Sequence, residues 1–282
     1  MSVLFDGLLD DAAVFPPGNL PLAEAVPAHQ EHRRAPYAAL VGAFVVAAAD
    51  LDALSDATRE LEGALAVSLT VPAPDAVGAA LRRAAGVRGV RLVGVEVAVP
   101  AAVAPGTVVR TLDDALDDAV GDRDLRVFVE LPRDERRDRL VEKLSDSPYL
   151  AKLRTGGVRA DLHPGEAELA AAVTGLVAAG VPFKATAGLH HAVRSTDLAT
   201  GFEQHGFLNL LAATAAARAG ADCRDVADVL AQREEAAVVA AVRGADPAVR
   251  ELFCSFGTCS IVDPVADLAR LGLLTPAMAV TR

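Results

Sequence analysis

The 282-residue chain has no tryptophan, only two tyrosines and nine phenylalanines, so aromatics make up 4% of it. Its core must therefore be built from Ala, Val and Leu, and the 52% hydrophobic content supplies them. A chain this long buries most of its surface on folding and needs no staples. Cysteine is also scarce: Cys223, Cys254 and Cys259 form no CxxC pair, so neither a disulfide framework nor a zinc ribbon is indicated. Basic residues are outnumbered 27 to 38, a formal charge of −11. That balance argues against nucleic acid as a partner and against an anionic membrane surface. The longest apolar runs, such as residues 38–49, are too short to span a bilayer. The first residues carry no basic region ahead of their apolar stretch, so no signal peptide is expected, and the chain reads as cytoplasmic. Its many Ala and Arg residues read as the codon bias of a bacterial chain. No low-complexity linker divides it, so one domain over 1–282 is expected.

What the chain does have is a series of short runs rich in Val and Leu: 11–15, 37–46, 65–71, 90–97, 125–131, 150–154, 181–187 and 252–256. Segments of helical period lie between them, including 75–86, 135–146 and 163–180; the last opens on proline and acidic residues and closes on Gly180. Continuous apolar strands alternating with helices predict a parallel sheet covered by helices. Eight such units in a chain of this length match an α/β fold of the (β/α)8 TIM-barrel type, with its site at the C-terminal ends of the strands. A doubly wound open sheet is the rival, but no GxGxxG follows an early strand to support its dinucleotide-binding form. The last connection is about twice as long as the others and holds two helical stretches, 202–220 and 223–244. An extra helix is therefore expected before the last strand. The Ala-rich helical exterior also makes a homo-oligomer an expected state.

Lysine is as scarce as cysteine, with Lys143, Lys152 and Lys184 alone, yet two of these sit inside apolar strand segments. Side chains alternate faces along a strand. Glu96, Glu130, Lys152 with Arg154, and Lys184 with Thr186 therefore fall on one face of four consecutive strands, and on the inner face they would converge at one barrel mouth. Charges at such positions are costly unless paired or hydrated. The plainest reading is a salt-bridged rim. The sharper one is a lysine whose pKa is lowered by a neighbouring cation and partial burial, as a Schiff-base nucleophile requires. Arg154 is suited to hold an anionic group by a bidentate contact.

The motifs on these strands have a recognisable order. "KLRTGG" (152–157) resembles the K-x-x-T-G motif on the sixth strand of the class I Schiff-base aldolase family typified by deoxyribose-phosphate aldolase. "FKATAGL" (183–189) is similar to its next strand, which carries a second lysine and a K-A-S-G-G turn. "LRVFVEL" (125–131) resembles its fifth strand, and "SFGTCS" (255–260) its last, where a Gly-Thr-Ser turn helps bind phosphate. The likeness covers under a third of the chain. It departs at "AGLHH" after the second lysine, and at the fourth strand, where Glu96 stands in place of the family's Asp. The resemblance implies an imine at Lys152, a pKa-perturbing role for Lys184, and a phosphate held by Gly257, Thr258 and Ser260. It implies a lyase acting on a small carbonyl compound or anion, without a cofactor; the residues alone leave open which lysine is the nucleophile.

His190 or His191, on the loop after the seventh strand, is a candidate general acid/base. Thr155, Thr186 and His191 are candidate substrate contacts, as is Asp11, preferred over Asp10 on the first strand. One alternative is a metal-dependent barrel hydrolase or isomerase using His190, His205 and a carboxylate such as Glu130, although the first strand carries no H-x-H. A non-catalytic ligand-binding barrel is the other. His29 and His32, spaced i,i+3 on a charged helix, are expected to be solvated, and Cys254 and Cys259 to be small buried hydrophobes.

Overall fold

The computed structural model describes residues 3–117, 125–275 and 278. Eight parallel strands close into a barrel: β1 (Leu9–Asp11), β2 (Val41–Ala47), β3 (Leu65–Val71), β4 (Val90–Val97), β5 (Arg126–Glu130), β6 (Leu150–Arg154), β7 (Phe183–Thr186) and β8 (Phe253–Thr258). β8 pairs with both β7 and β1, which leaves no free edge. Helices α1 (Leu22–Arg34), α2 (Leu51–Ala57), α3 (Val77–Ala85), α4 (Pro105–Asp117), α5 (Arg137–Ser145) and α6 (Glu166–Ala178) follow the first six strands in turn. This is the (β/α)8 architecture expected from the alternating runs.

Strand alternation sorts the two faces. Leu65, Val67, Leu69 and Val71 of β3, Val127 and Val129 of β5 and Leu153 of β6 belong to the apolar core, and they alternate with the inward Ser68, Glu130 and Lys152. The same outer layer stacks Phe256 on Phe207 at 4.9 Å between ring centroids, and Phe183 on Phe253 at 5.4 Å. Fully burying one such apolar side chain contributes about 1.5–3 kcal/mol, so the outer layer holds the barrel while the inner face is free to carry charge.

The largest differences from the sequence reading fall at three places. β1 ends at Asp11, not Phe15. The chain turns there because the Ala13 amide donates to the Asp11 carboxylate, and Pro16 and Pro17, having no N–H, cannot extend a ladder. β2 begins at Val41, after a 3₁₀ turn over Ala38–Leu40. The long connection carries a two-stranded antiparallel ribbon (195–196 with 203–204) and three helices, α7 (Phe207–Arg218), α8 (Cys223–Ala231) and α9 (Glu235–Arg243). The stretch at 223–244 is thus two helices. The buried Asn209 amide donates to the carbonyls of Val229 and Gln232, taking up the C-terminal acceptors of α8 that a continuing helix would have used. α10 (Val262–Arg270) closes the chain of elements.

The loops after β6 and β7 meet at glycines. A Cβ on Gly156 would lie 2.8 Å from the Gly188 Cα and 2.9 Å from His163 Cε1. One of these is backbone and cannot swing aside. Gly156→Ala is expected to destabilise the protein by about 1–3 kcal/mol. Gly175→Ala, inside α6 with nothing within 4 Å of the added carbon, should stabilise by up to about 1 kcal/mol. Urea denaturation of the two variants checks both signs.

Candidate functional site

The C-terminal mouth of the barrel opens into a cavity of about 500 Å³. Glu96, Glu130, Lys152, Arg154 and Thr186 line it, with Phe15, Val45, Val71 and Leu162 among its apolar walls. The alternation rule explains the convergence: each polar residue occupies an inward position on its own strand, and Glu130, Lys152 and Lys184 lie level across β5, β6 and β7.

These groups form an unbroken chain of alternating charge. Asp10 Oδ2 accepts from Lys184 Nζ at 2.6 Å, and Lys184 also donates to Glu96 Oε1 at 2.5 Å. Glu96 Oε2 meets Lys152 Nζ at 3.1 Å, and Lys152 meets Glu130 Oε2 at 3.0 Å. Glu130 Oε1 then accepts from Arg154 Nε at 2.8 Å. Hydroxyls brace it: Ser68 donates to Glu96 Oε1 at 2.9 Å, and Ser255 to Asp10 Oδ2 at 2.6 Å. The Ala43 amide donates to Asp10 Oδ1 at 2.9 Å. The Phe128 ring lies 5.3 Å from Lys184 Nζ, within cation–π range.

Depth separates the cations. The Lys184 side chain is 1% exposed and lies below the cavity wall, that of Lys152 is 6% exposed, and that of Arg154, at the rim, is 35% exposed. Burial alone would lower the Lys184 pKa; the charges of Asp10 and Glu96 outweigh it and hold the ammonium above its ordinary value. Burial would likewise raise Glu96, but Lys184 and Lys152 bring its carboxyl down to about 2. Burial of Glu130 is overcome by Lys152 and then Arg154, so its pKa is lowered. The expected device of one lysine activating the other by direct cationic contact is absent from this arrangement, because Glu96 stands between them with one oxygen toward each.

The other candidate residues divide. His190 and Gly257 line the cavity. The His190 Nδ1 sits 3.4 Å from Cys259 Sγ, and burial, then His191, lowers its pKa. Asp11 does not reach the cavity wall. Its carboxylate faces α1, where it pairs with His29 Nδ1 at 2.9 Å, because Asp10 takes the inward position of β1. That contact also corrects the expectation for His29, which is buried; His32 is half-buried and bonded to the Tyr37 hydroxyl at 3.0 Å. Thr155 is turned to the carbonyls of Thr186 and Ala187. Thr258 donates to the Ser260 carbonyl, and the Ser260 hydroxyl accepts from the Asp263 amide at the start of α10. Of the Gly-Thr-Ser turn, only Gly257 therefore faces the cavity. His191 is exposed and pairs with Asp267. His205 is buried, its ring held by the Pro164 carbonyl and Arg194, so His190, His205 and Glu130 do not assemble. Among the described residues, no three His, Cys, Asp or Glu side chains group as a metal site.

Sequence reading passes over Ser68 and Ser255, prefers Asp11 to Asp10, and takes Cys259 for a small buried hydrophobe, whereas it is only partly buried and lines the cavity. The signal for the two serines is their position, each a small hydroxyl in the middle of a mostly apolar strand. Comparison with known protein families, with characterised proteins and with solved structures gives no match to this chain.

The chain of charges makes two expectations. Lys184→Met leaves Asp10 and Glu96 buried without their shared cation and should cost about 3–5 kcal/mol, whereas the rim variant Arg154→Ala should cost about 1 kcal/mol or less; chemical denaturation compares them. Because the Glu96 carboxyl is depressed in the folded state from 4.5 to about 2, its contribution to stability is complete above pH 4.5 and is lost as pH falls toward 2. That contribution is on the order of 3 kcal/mol. Glu96→Gln should be less stable at neutral pH and should show a flatter loss of stability between those pH values.

Proposed function

We propose that this barrel is a class I aldolase-type lyase acting on a small anionic carbonyl compound, with Lys152 as the Schiff-base nucleophile. The observation that carries the reading is the position of Lys152: its amine is at the cavity wall between Glu96 and Glu130. Lys184 is fixed beneath it by Asp10 and Glu96 and serves as a permanent cation that keeps Glu96 ionised. The order of the motifs on β5 to β8, with its likeness to the deoxyribose-phosphate aldolase family, supports the same choice.

Imine formation needs a neutral amine, and the charge chain supplies a route to one. Arg154 is the exposed end of the chain and the group available to a substrate carboxylate or phosphate. When it turns to that anion, Glu130 loses one of the two cations that hold its pKa down, while its burial remains. Its proton affinity rises, and the Lys152 proton moves to it across the existing 3.0 Å contact. The free amine then attacks the carbonyl carbon. Glu130 returns the proton to the carbinolamine oxygen, then takes one proton from the carbinolamine nitrogen and passes it to the same oxygen, which leaves as water and restores the Glu130 carboxylate. Glu130, ionised again, takes the proton of the β-hydroxyl; the bond between the α- and β-carbons breaks to release an aldehyde, and its electron pair passes to the protonated imine to give an enamine. Arg154 thus links recognition of charge to activation of the nucleophile.

A second reading, a ligand-binding barrel without turnover, rests on the neutrality of the chain, in which Asp10, Glu96 and Glu130 balance Lys184, Lys152 and Arg154. Borohydride trapping separates the two. Incubation with a panel of small aldehydes, ketones and sugar phosphates, followed by reduction and peptide mapping, should place an adduct on Lys152 that Lys152→Met abolishes. Arg154→Ala should weaken trapping of anionic carbonyls by about tenfold or more and leave neutral ones little changed. No adduct on folded protein across the panel would leave the binding reading. An adduct on Lys184 would overturn the assignment of the nucleophile.

A further inference from the structure

The cavity holds a second reactive pair that the imine chemistry does not use. Cys259, just after β8, and His190, after β7, both line the wall, and Cys259 Sγ lies 3.4 Å from His190 Nδ1. The pairing is imposed by the fold: β7 and β8 are neighbours in the barrel, so the residues leaving their C-terminal ends meet although 69 positions apart in sequence. The loop of β1 closes over the thiol, with Gly18 packed so tightly that a Cβ there would lie 3.2 Å from the Cys259 Cβ. The sulfur is therefore shielded on that side, and the cavity is its approach. Burial raises the thiol pKa, opposed by the amides of Cys259 itself and of Gly18. Burial lowers that of His190. At neutral pH the pair is a thiol beside a neutral imidazole, a nucleophile with its base in place.

We propose that Cys259 and His190 form a thiol–imidazole centre for soft carbon electrophiles, of which α,β-unsaturated carbonyl compounds are the fitting class. As the sulfur attacks the β-carbon, the new S–C bond forms and the thiol proton passes to His190 Nδ1. The π electrons move to the carbonyl to give an enolate, and the imidazolium returns that proton to the α-carbon. The sum is addition of S–H across the C=C bond, and no further reagent is needed. Apolar neighbours at the mouth, Phe15 and Pro16 among them, suit the hydrocarbon part of such a compound. The proposal stands independently of the imine reading, since neither Lys152 nor Arg154 takes part.

Acrylamide, a sluggish unsaturated amide, is the probe, with the exposed Cys223 as reference within the same chain. Peptide mapping after timed exposure at pH 7 should show Cys259 labelled well ahead of Cys223. His190→Gln should slow Cys259 by about 100-fold, the lower end of general-base assistance, with Cys223 unchanged and the circular dichroism intact. A pH series on the unaltered protein gives a second readout. The titratable groups near enough to act electrostatically on His190 are His191, Asp263, Asp197 and His163, and those acting on Cys259 are Asp263 and Asp11. With base assistance, Cys259 labelling should level off once His190 is neutral, a profile that exposed Cys223 should not share. Labelling of Cys259 no faster than Cys223, or indifferent to His190→Gln, or rising with pH in parallel with Cys223, would overturn the proposal.

Discussion

Burying charge inside an apolar barrel is the constraint from which the rest of this structure follows. An isolated ammonium or carboxylate at that depth would cost several kcal/mol, so each is accepted only with a partner of opposite sign. Here the partners run in series from Asp10 through Lys184, Glu96, Lys152 and Glu130 to Arg154, and hydroxyls and an amide take the remaining lone pairs of Asp10 and Glu96. One end is sealed under the cavity and the other reaches solvent at Arg154. A perturbation at the open end can therefore be felt one residue at a time along the chain, whereas a change at the sealed end removes the cation on which two carboxylates depend.

The inner face was largely legible in the sequence because strand period is insensitive to fold detail. Once Glu96, Glu130, Lys152 and Lys184 sit in apolar strands of matching phase, closure of the sheet brings them together. The same logic fails at β1, where the apolar run places the strand too late and favours Asp11 over Asp10. A shift of one residue reverses the face, and in a strand of three residues nothing else corrects it. The order of the charges was also hidden, since the stagger of a closed barrel decides that Glu96 separates the two lysines.

Contacts made by loops and helices were beyond such a reading. His29 on a charged helix gives no sign of the buried carboxylate it meets, because the partner lies on a strand whose outward face was not assigned. The break between α8 and α9 comes from Asn209, a side chain on another helix. The approach of Cys259 to His190 depends on the paths of two loops. Local pattern predicts elements and faces; side-chain partners across elements require the packed molecule.

The barrel thus places two sets of side chains around one cavity, an amine between carboxylates and a thiol beside an imidazole, with the buried Lys184 beneath. The fixed cation is the point on which the assignment of roles turns, and the scarcity of lysine makes it directly measurable. Protein labelled with ¹⁵N in lysine carries only Lys143, Lys152 and Lys184, so its side-chain nitrogen spectrum can be assigned with single substitutions and followed through a pH titration. A Lys184 nitrogen that stays protonated beyond the ordinary lysine value of 10.5 is the expected result. A Lys184 nitrogen that loses its proton below that value would contradict the alternating charge chain and the division of labour between the two lysines.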